Sequence, residues 1–346
     1  MAVTLRDIAE RVGTSEATVS LVLNGRQFHR VSPKVREKIE QVAKELNYRP
    51  NRQAQLLAGG KTKTIAVLVN RLLNQFFAEY LSVIESSLSE HGYHAVPFET
   101  MSRPERAEQL LGMIDQRLCD AIVALEYTGD PERSASRGQK FPLTVRVEEF
   151  GEDSDPVGGG AVVRVDYKPA TDRLFQVFAG AGAKRIGLLT DTRHDLNLPE
   201  AERSPRGRAH FATLSELGLY RGGSQCEALS EESQLEDWAA ATERLLRREP
   251  EIDCLLVHNA TVIPAVLHQL DAMGRVCGRD LAVATYDDPI SARWLAGGLT
   301  VVREPISDVA KSLVRATLQR LGVVRTAHEA SHKAELVVRA SSTLVR

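Results

Sequence analysis

Only four cysteines occur in 346 residues, Cys119, Cys226, Cys254 and Cys277, and no two stand at the spacing of a metal clip or a redox motif. A disulfide scaffold is excluded, and buried reduced thiols are expected. The nine histidines likewise lack metal-ligand spacing, so neither metal nor cofactor is expected. Gly158, Gly159 and Gly160 are not followed by the Lys-Ser/Thr of a phosphate loop, and Gly180-Ala181-Gly182 precedes an apolar run instead of following one. Nucleotide-dependent catalysis loses its usual signatures, and the chain is not expected to be an enzyme. No apolar run approaches the eighteen or so residues of a membrane span, and no apolar stretch follows a basic start. A cytoplasmic protein without membrane contact is expected, not an exported solute-binding module.

What is present begins at 4–25, TLRDIAERVGTSEATVSLVLNG, two short amphipathic segments around Gly13. Thr4 stands where an N-cap belongs, Asp7 follows three residues on, and Ile8, Ala9 and Val12 share a helical face. Gly13 supplies a tight turn, Ser15 caps a second helix, and Val19 and Leu23 give that helix an apolar face. This is the layout of a helix-turn-helix, which sets its second helix in a DNA major groove. Ser15, Glu16, Ala17, Thr18, Ser20, Leu21 and Asn24 are left facing outward, a small-residue surface that permits close approach to a duplex.

Ser32-Pro33 opens a third helix, with Val35, Ile39, Val42, Ala43 and Leu46 at helical intervals. Pro50 and Asn51 then start a segment of about two turns that Gly59 and Gly60 stop, too short to be stable alone in water. Residues 1–63 carry 12 Lys/Arg against 6 Asp/Glu, a balance of +6, and the remainder carries 32 against 40, or −8, within the overall −2. Basic charge is therefore concentrated where phosphates would be met.

From residue 64 short apolar runs alternate with helical patterns, the signature of parallel βα units. Strands are expected at 65–69, 121–125, 162–165, 186–189, 254–257 and 281–285, with helices at 76–89, 169–179, 235–247 and 263–273. The strand runs are nearly continuous in apolar residues, as when both faces of a sheet are covered. Open parallel sheets bind ligands beyond the carboxyl ends of their strands. The loops there hold Asn70, Arg71, Phe76, Phe77, Asp166, Asn259 and Asp287 as candidate contacts to a small molecule.

The stretches VTLRDIAERVGTSEATVSLVLNG, RVSPKVREKIEQVAKELNYRPN and QLLAGGKTKTIAVLV resemble the headpiece, hinge and first core strand of the LacI/GalR family of bacterial transcription regulators. Weaker matches continue through VDYKPATDRLFQVFAGAGAKRIGLLT, LLVHNATVIPAVLHQLDAMG and DLAVATYDDP to LTVVREPISDVAKSLV. The resemblance implies an all-α helix-turn-helix headpiece at 1–49 and a hinge helix with linker at 50–63. It further implies an α/β core at 64–346, made of two doubly wound parallel-sheet subdomains like periplasmic binding proteins. One subdomain would take about 64–164 and 294–326, the other about 165–293 and 327–346. The chain would cross between them near 164–167, 287–294 and 321–334.

Carried over residue by residue, Glu16, Ala17 and Leu21 are the positions that read operator bases, while Thr18, Ser20 and Asn24 meet the backbone or brace the fold. Thr4, Ser15 and Asn51 join the candidate DNA contacts, and Arg6, Arg26, Arg30, Lys34 and Arg52 would contact phosphate or reach the minor groove. Leu57, with Ala54 beside it, matches the leucine that wedges between base pairs at the operator centre. The implied protein is a nucleoid-associated homodimer on pseudo-palindromic double-stranded DNA, a repressor modulated by a sugar or sugar phosphate, with a nucleobase or other metabolite as alternative. One departure touches the pocket. Where many members carry an effector-gripping Arg before a Gly-aromatic pair, PRGRAHF places Gly207 at that position, leaving Arg206 and Arg208 as candidate replacements, and the usual Asn-Asp pair is Asn259-Ala260.

Overall fold

Thr4 leaves extended backbone and caps α1 (Leu5–Val12): its hydroxyl accepts from the Asp7 amide, and the Asp7 carboxylate accepts from the Thr4 amide at 2.7 Å. Gly13, at φ 81°, ends the helix in the left-handed region that a side chain disfavours. The computed structural model describes residues 3–23, 31–48, 61–101, 103, 105, 106, 108–110, 118–126, 143–149, 160–230, 232–327 and 329–344. The chain divides into two units, Met1–Lys61 and Thr62–Arg346.

In the first unit α2 (Glu16–Leu23) and α3 (Pro33–Glu45) close a core of Ile8, Ala9, Val19, Val22, Val31, Ile39, Val42 and Ala43. Val22, not Leu23, is the second buried residue of α2: it follows Val19 by three, and Leu23 packs at the margin. The Lys38 ammonium donates to the Val12 carbonyl at 3.2 Å and ties α3 to the open end of α1.

Among the described residues the second unit contains two six-stranded sheets of the same strand order. The first runs β2 (His94–Glu99), β1 (Thr64–Val69), β3 (Ala121–Ala124), β4 (Leu143–Glu149), β5 (Ala161–Asp166) and β11 (Ser331–Lys333), all parallel. The second runs β7 (Cys226–Leu229), β6 (Ile186–Asp191), β8 (Cys254–Val257), β9 (Ala282–Tyr286), β10 (Thr300–Arg303) and β12 (Glu335–Val337), parallel except that β12 opposes β10. Helices α4 (Gln75–Ser89) and α9 (Ile306–Arg320) cover the first sheet. Helices α5 (Lys168–Gly180), α6 (Pro205–Glu216), α7 (Leu235–Arg248) and α8 (Ile263–Ala272) belong with the second. In α4 the buried set Phe77, Tyr80, Ile84 and Leu88 keeps helical spacing, which is why that face meets the sheet. Among the described residues no helix is long and apolar enough to cross a membrane.

The chain passes between the lobes three times. The first passage follows β5 at Tyr167, and the third is at Ala334, where one residue separates β11 from β12. The second comes later than expected. Residues 300–303 pair with β9 in the second sheet instead of returning at 287–294, so the passage is at Glu304-Pro305. Likewise β11, expected with the second lobe, pairs with β5 of the first. Cys119, Cys226 and Cys254 are buried free thiols and Cys277 is half-buried; burial pushes Cys226 and Cys277 up to about 12, so these thiols stay protonated.

Candidate functional site

On the headpiece Ser15, Glu16 and Ala17 are exposed at the start of α2, with Thr18, Ser20 and Leu21 half-buried behind them. The Ser15 hydroxyl accepts from the Thr18 amide at 3.2 Å, which spends it on the cap. Thr4 is similarly engaged in its capping box, and Arg6 reaches Glu10 at 3.0 Å on the exposed face of α1. Asn24, Arg26, Arg30, Asn51, Arg52, Ala54 and Leu57, with the expected hinge helix, lie outside the described residues.

In the second unit a cleft of about 510 Å³ opens between the two lobes. It lies where strand order reverses, at β1/β3 in one sheet and β6/β8 in the other, so that neighbouring loops part and leave space. The first lobe contributes Asn70 and Arg71 after β1, Phe76 and Phe77 from α4, Glu126 after β3, and Arg146 and Glu148 from β4. The second contributes Asp191, Arg193 and His194 from the end of β6, Arg206 from α6, Trp238 from α7, His258 and Asn259 after β8, and Tyr286 and Asp287 at the end of β9. Tyr167, at the first passage, lines the cleft between them.

Charged side chains form one continuous path through this space. Glu304, buried at the second passage, accepts from the hydroxyls of Tyr80 and Tyr167 and from Arg146, whose Nε lies 2.8 Å from Oε1. Arg146 also reaches Glu148 at 3.2 Å; Glu148 accepts from Arg206 across the cleft; Arg206 donates to Nδ1 of His258 at 3.2 Å. His258 Nε2 lies 2.7 Å from Asp191, Asp191 holds Arg193 at 3.0 Å, and Arg193 returns to Glu126 on the first lobe. Burial penalises the carboxylates of Glu148 and Asp191, but Arg206 and Arg146 for the one, and His258 and Arg193 for the other, hold both well below the usual range. His194 goes the other way: burial and the nearby Arg206 keep it neutral.

Aromatic rings line the same walls. Arg206 lies 4.6 Å above the Tyr286 ring, whose hydroxyl meets His210 Nε2 at 2.7 Å and Thr171 at 3.1 Å. His210 stacks parallel to Tyr286, so the residue standing where the family motif has glycine fills space behind the cleft wall. Asp287 has φ 69°, a left-handed backbone rare for any residue with a side chain. Its carboxyl is raised to about 7 by burial and by Glu304 and Glu148, against the opposing pull of Arg146 and Arg206.

Of the nine expected ligand contacts, Asn70, Arg71, Phe76, Phe77, Arg206, Asn259 and Asp287 line the cleft. Phe77 also belongs to the core, so the pair divides between packing and lining. Asp166 and Arg208 do not line it. Asp166 turns to accept from the Lys168 amide at 3.1 Å at the start of α5, a use that the end of a strand before a helix often imposes. Arg208 follows Arg206 by two residues, about 200° around the helix, and donates to the Arg203 carbonyl instead. Asp288, beside Asp287, is structural and holds Arg339 at 2.8 Å. Sequence reasoning missed Arg146, Glu148, Asp191, Arg193, His194, His258 and Tyr286. A signal existed for the first two, because VRVEE puts charges at alternate positions of a covered strand.

Comparison with known proteins accounts for both units. Residues 4–51 match the family of bacterial regulatory proteins of the lacI type, and residues 175–342 match the periplasmic binding protein-like domain. The chain is 26% identical to the ribose operon repressor of Haemophilus influenzae over 329 residues, 92% of each chain. It is 28% identical to the transcriptional regulator CelR of Thermobifida fusca over 338 residues, again 92% of each. Among solved structures, the lac repressor dimer bound to operator and an anti-inducer superposes with a TM-score of 0.76 at 21% identity, covering 99% of this chain and 100% of that one. With its helix-turn-helix and the larger part of its core each matched, and regulators aligning along nearly its whole length, the chain belongs to the lacI family of bacterial regulatory proteins.

Proposed function

We propose that the chain is a transcriptional repressor that binds a two-fold operator as a homodimer and releases or tightens its hold when a small polyhydroxylated molecule of the sugar class occupies the cleft. It acts in the cytoplasm and performs no catalysis. The observation that carries this reading is a single chain joining a DNA-reading headpiece to a ligand-sized cleft whose two walls belong to different lobes. A ligand touching both walls has differential affinity for open and closed lobes, and linkage makes that difference act equally on DNA affinity.

The cleft chemistry favours a neutral ligand. Arg146, Arg193 and Arg206 each already hold carboxylates, so a phosphate would compete with existing ion pairs, whereas hydroxyls can join the same donors and acceptors. Rings of Phe76, Tyr167, Tyr286 and Trp238 supply apolar faces for a sugar ring. Relatives agree: one solved structure is a complex of the regulator CelR with cellobiose, and one relative is a ribose operon repressor. On DNA, Glu16 and Ala17 stand exposed for base contact. Leu57 is assigned the minor-groove wedge.

The test is operator selection from randomised duplexes followed by salt-dependent gel shifts with and without a panel of sugars. A palindromic consensus, steep salt dependence and at least one sugar that changes retention are expected. In Arg206→Ala the sugar response should weaken by about tenfold or more, and in Arg208→Ala it should persist. Retention of no duplex at any salt concentration overturns the regulatory reading, and sugar responses equal in both variants overturn the cleft assignment.

A further inference from the structure

We infer that Asp191, His194 and His258 form a binding site for a divalent cation of the zinc type, open toward the cleft. The inference goes beyond the regulatory reading and does not depend on it. One carboxylate oxygen and one nitrogen from each imidazole all lie within 4.8 Å of one another, although the residues are 67 positions apart at the extremes. Strand adjacency brings them together. Asp191 ends β6 and His258 follows β8, its amide bonded to the Leu189 carbonyl at 2.8 Å. His194 ends the single turn that Asp191 caps, with Oδ1 accepting from the Arg193 amide at 2.8 Å.

The orientation of the donors fits a metal more closely than their number alone requires. Nδ1 of His194 is engaged by the Ser204 hydroxyl at 2.7 Å, leaving Nε2 as the ligand atom, the outer partner that metal-bound histidines ordinarily have. Oδ2 of Asp191 and Nε2 of His258 already face each other at 2.7 Å. A tetrahedral zinc with bonds near 2.1 Å needs its donors about 3.4 Å apart, so these two part slightly and His194 moves inward by side-chain rotation. Two imidazoles and one carboxylate select zinc, cobalt or nickel over magnesium and calcium, which take oxygen. Three protein donors leave a fourth position, and all three residues line the cleft, so a water or a ligand hydroxyl completes the shell there.

Two arginines touch this set, and both have somewhere else to go. Arg193 holds Asp191 at 3.0 Å but also Glu126; Arg206 meets His258 at 3.2 Å but also Glu148. An entering cation takes over Asp191 and His258, and each guanidinium keeps its carboxylate on the opposite lobe. With Arg206 donating to Nδ1, the His258 ring carries its proton on Nε2, and on metal binding that proton passes to Nδ1 as Arg206 withdraws.

The experiment uses the full chain after treatment with a chelator, titrated with zinc chloride by calorimetry and with cobalt chloride by visible absorption. One equivalent per chain is expected, with a tetrahedral cobalt spectrum. Affinity should fall by about tenfold or more in His194→Ala and in His258→Ala, and stay unchanged in His268→Ala, an exposed histidine on α8. Asp191→Asn, which keeps the size of the side chain, covers the case in which an alanine variant fails to fold; circular dichroism checks each. Absence of a one-equivalent event in the parent chain, affinity in the three cleft variants equal to that of the parent, or competition by magnesium as strong as zinc binding overturns the proposal.

Discussion

Asp287 shows how a single residue can be bent to a purpose. Its left-handed φ of 69° costs on the order of 1 kcal/mol or more, and its amide bonds to the Val302 carbonyl at 3.0 Å, so the strand pair fixes the turn that presents the side chain to the cleft. The carboxyl is raised from 3.8 to about 7, with Glu304 and Glu148 facing it as like charges and Arg146 and Arg206 as opposite ones. The folded chain therefore holds a proton there that the unfolded chain has released, and this contribution to stability is present below pH 3.8 and lost as pH rises through about 7. Asp287→Asn has no such titration and tolerates the same backbone. The fall in melting temperature between pH 4.5 and pH 7.5, followed by differential scanning calorimetry, should be shallower in Asp287→Asn than in the parent; parallel curves would remove the titration from this residue.

At the scale of elements, the three short helices of the headpiece stand or fall together, since each is too short to persist alone. Ile39 is fully buried among Ile8, Val19 and Val42, and Ile39→Ala should cost about 2–5 kcal/mol, a large part of what so small a core provides. The expected outcome is a melted headpiece on an intact core: amide exchange in residues 5–45 accelerates, while that in β1 and β8 does not.

The same scale explains what could be read in the chain. Helix ends were legible because Thr4, Gly13 and Ser32-Pro33 act through local chemistry, and β1, β6, β8 and β9 because continuous apolar runs mean strands covered on both faces. The three-residue strands β11 and β12 were not, since SHK and ELV carry no pattern long enough to register. The placement of residues 300–303 in the first lobe differs from the structure for a related reason: an apolar run declares a strand, but its partner is a long-range choice. The cleft divides in the same manner. Asn70, Asn259 and Asp287 follow strand ends that the sequence marks, whereas the meeting of Asp191, His194 and His258 depends on β6 lying beside β8, which no local spacing encodes.

Across the whole core, the two lobes hold one another through side chains. Glu126 with Arg193, Glu148 with Arg206 and, at the exposed rim, Arg103 with Glu232 at 2.6 Å span the gap. The rim pair contributes little in water, Glu126 with the half-exposed Arg193 contributes more, and Glu148 with Arg206 dominates because Arg206 is buried. Replacing Glu126 and Glu148 together by glutamine should let the lobes part. Small-angle scattering should then report a larger radius of gyration than that of the parent, and an effector should recover part of the difference; identical profiles would mean that packing at the passages alone sets the angle.

The three passages between lobes also carry a consequence for how the molecule is made. Neither lobe is a continuous stretch: the first sheet is completed by β11 at 331–333 and covered by α9, while the second waits for β12 at 335–337. A ribosome delivering this chain from its amino end would release a finished headpiece early, yet both halves of the core would stay open at one border until β11 and β12 had emerged. Nascent core segments would thus wait with bare sheet margins, the condition in which chaperones are most needed.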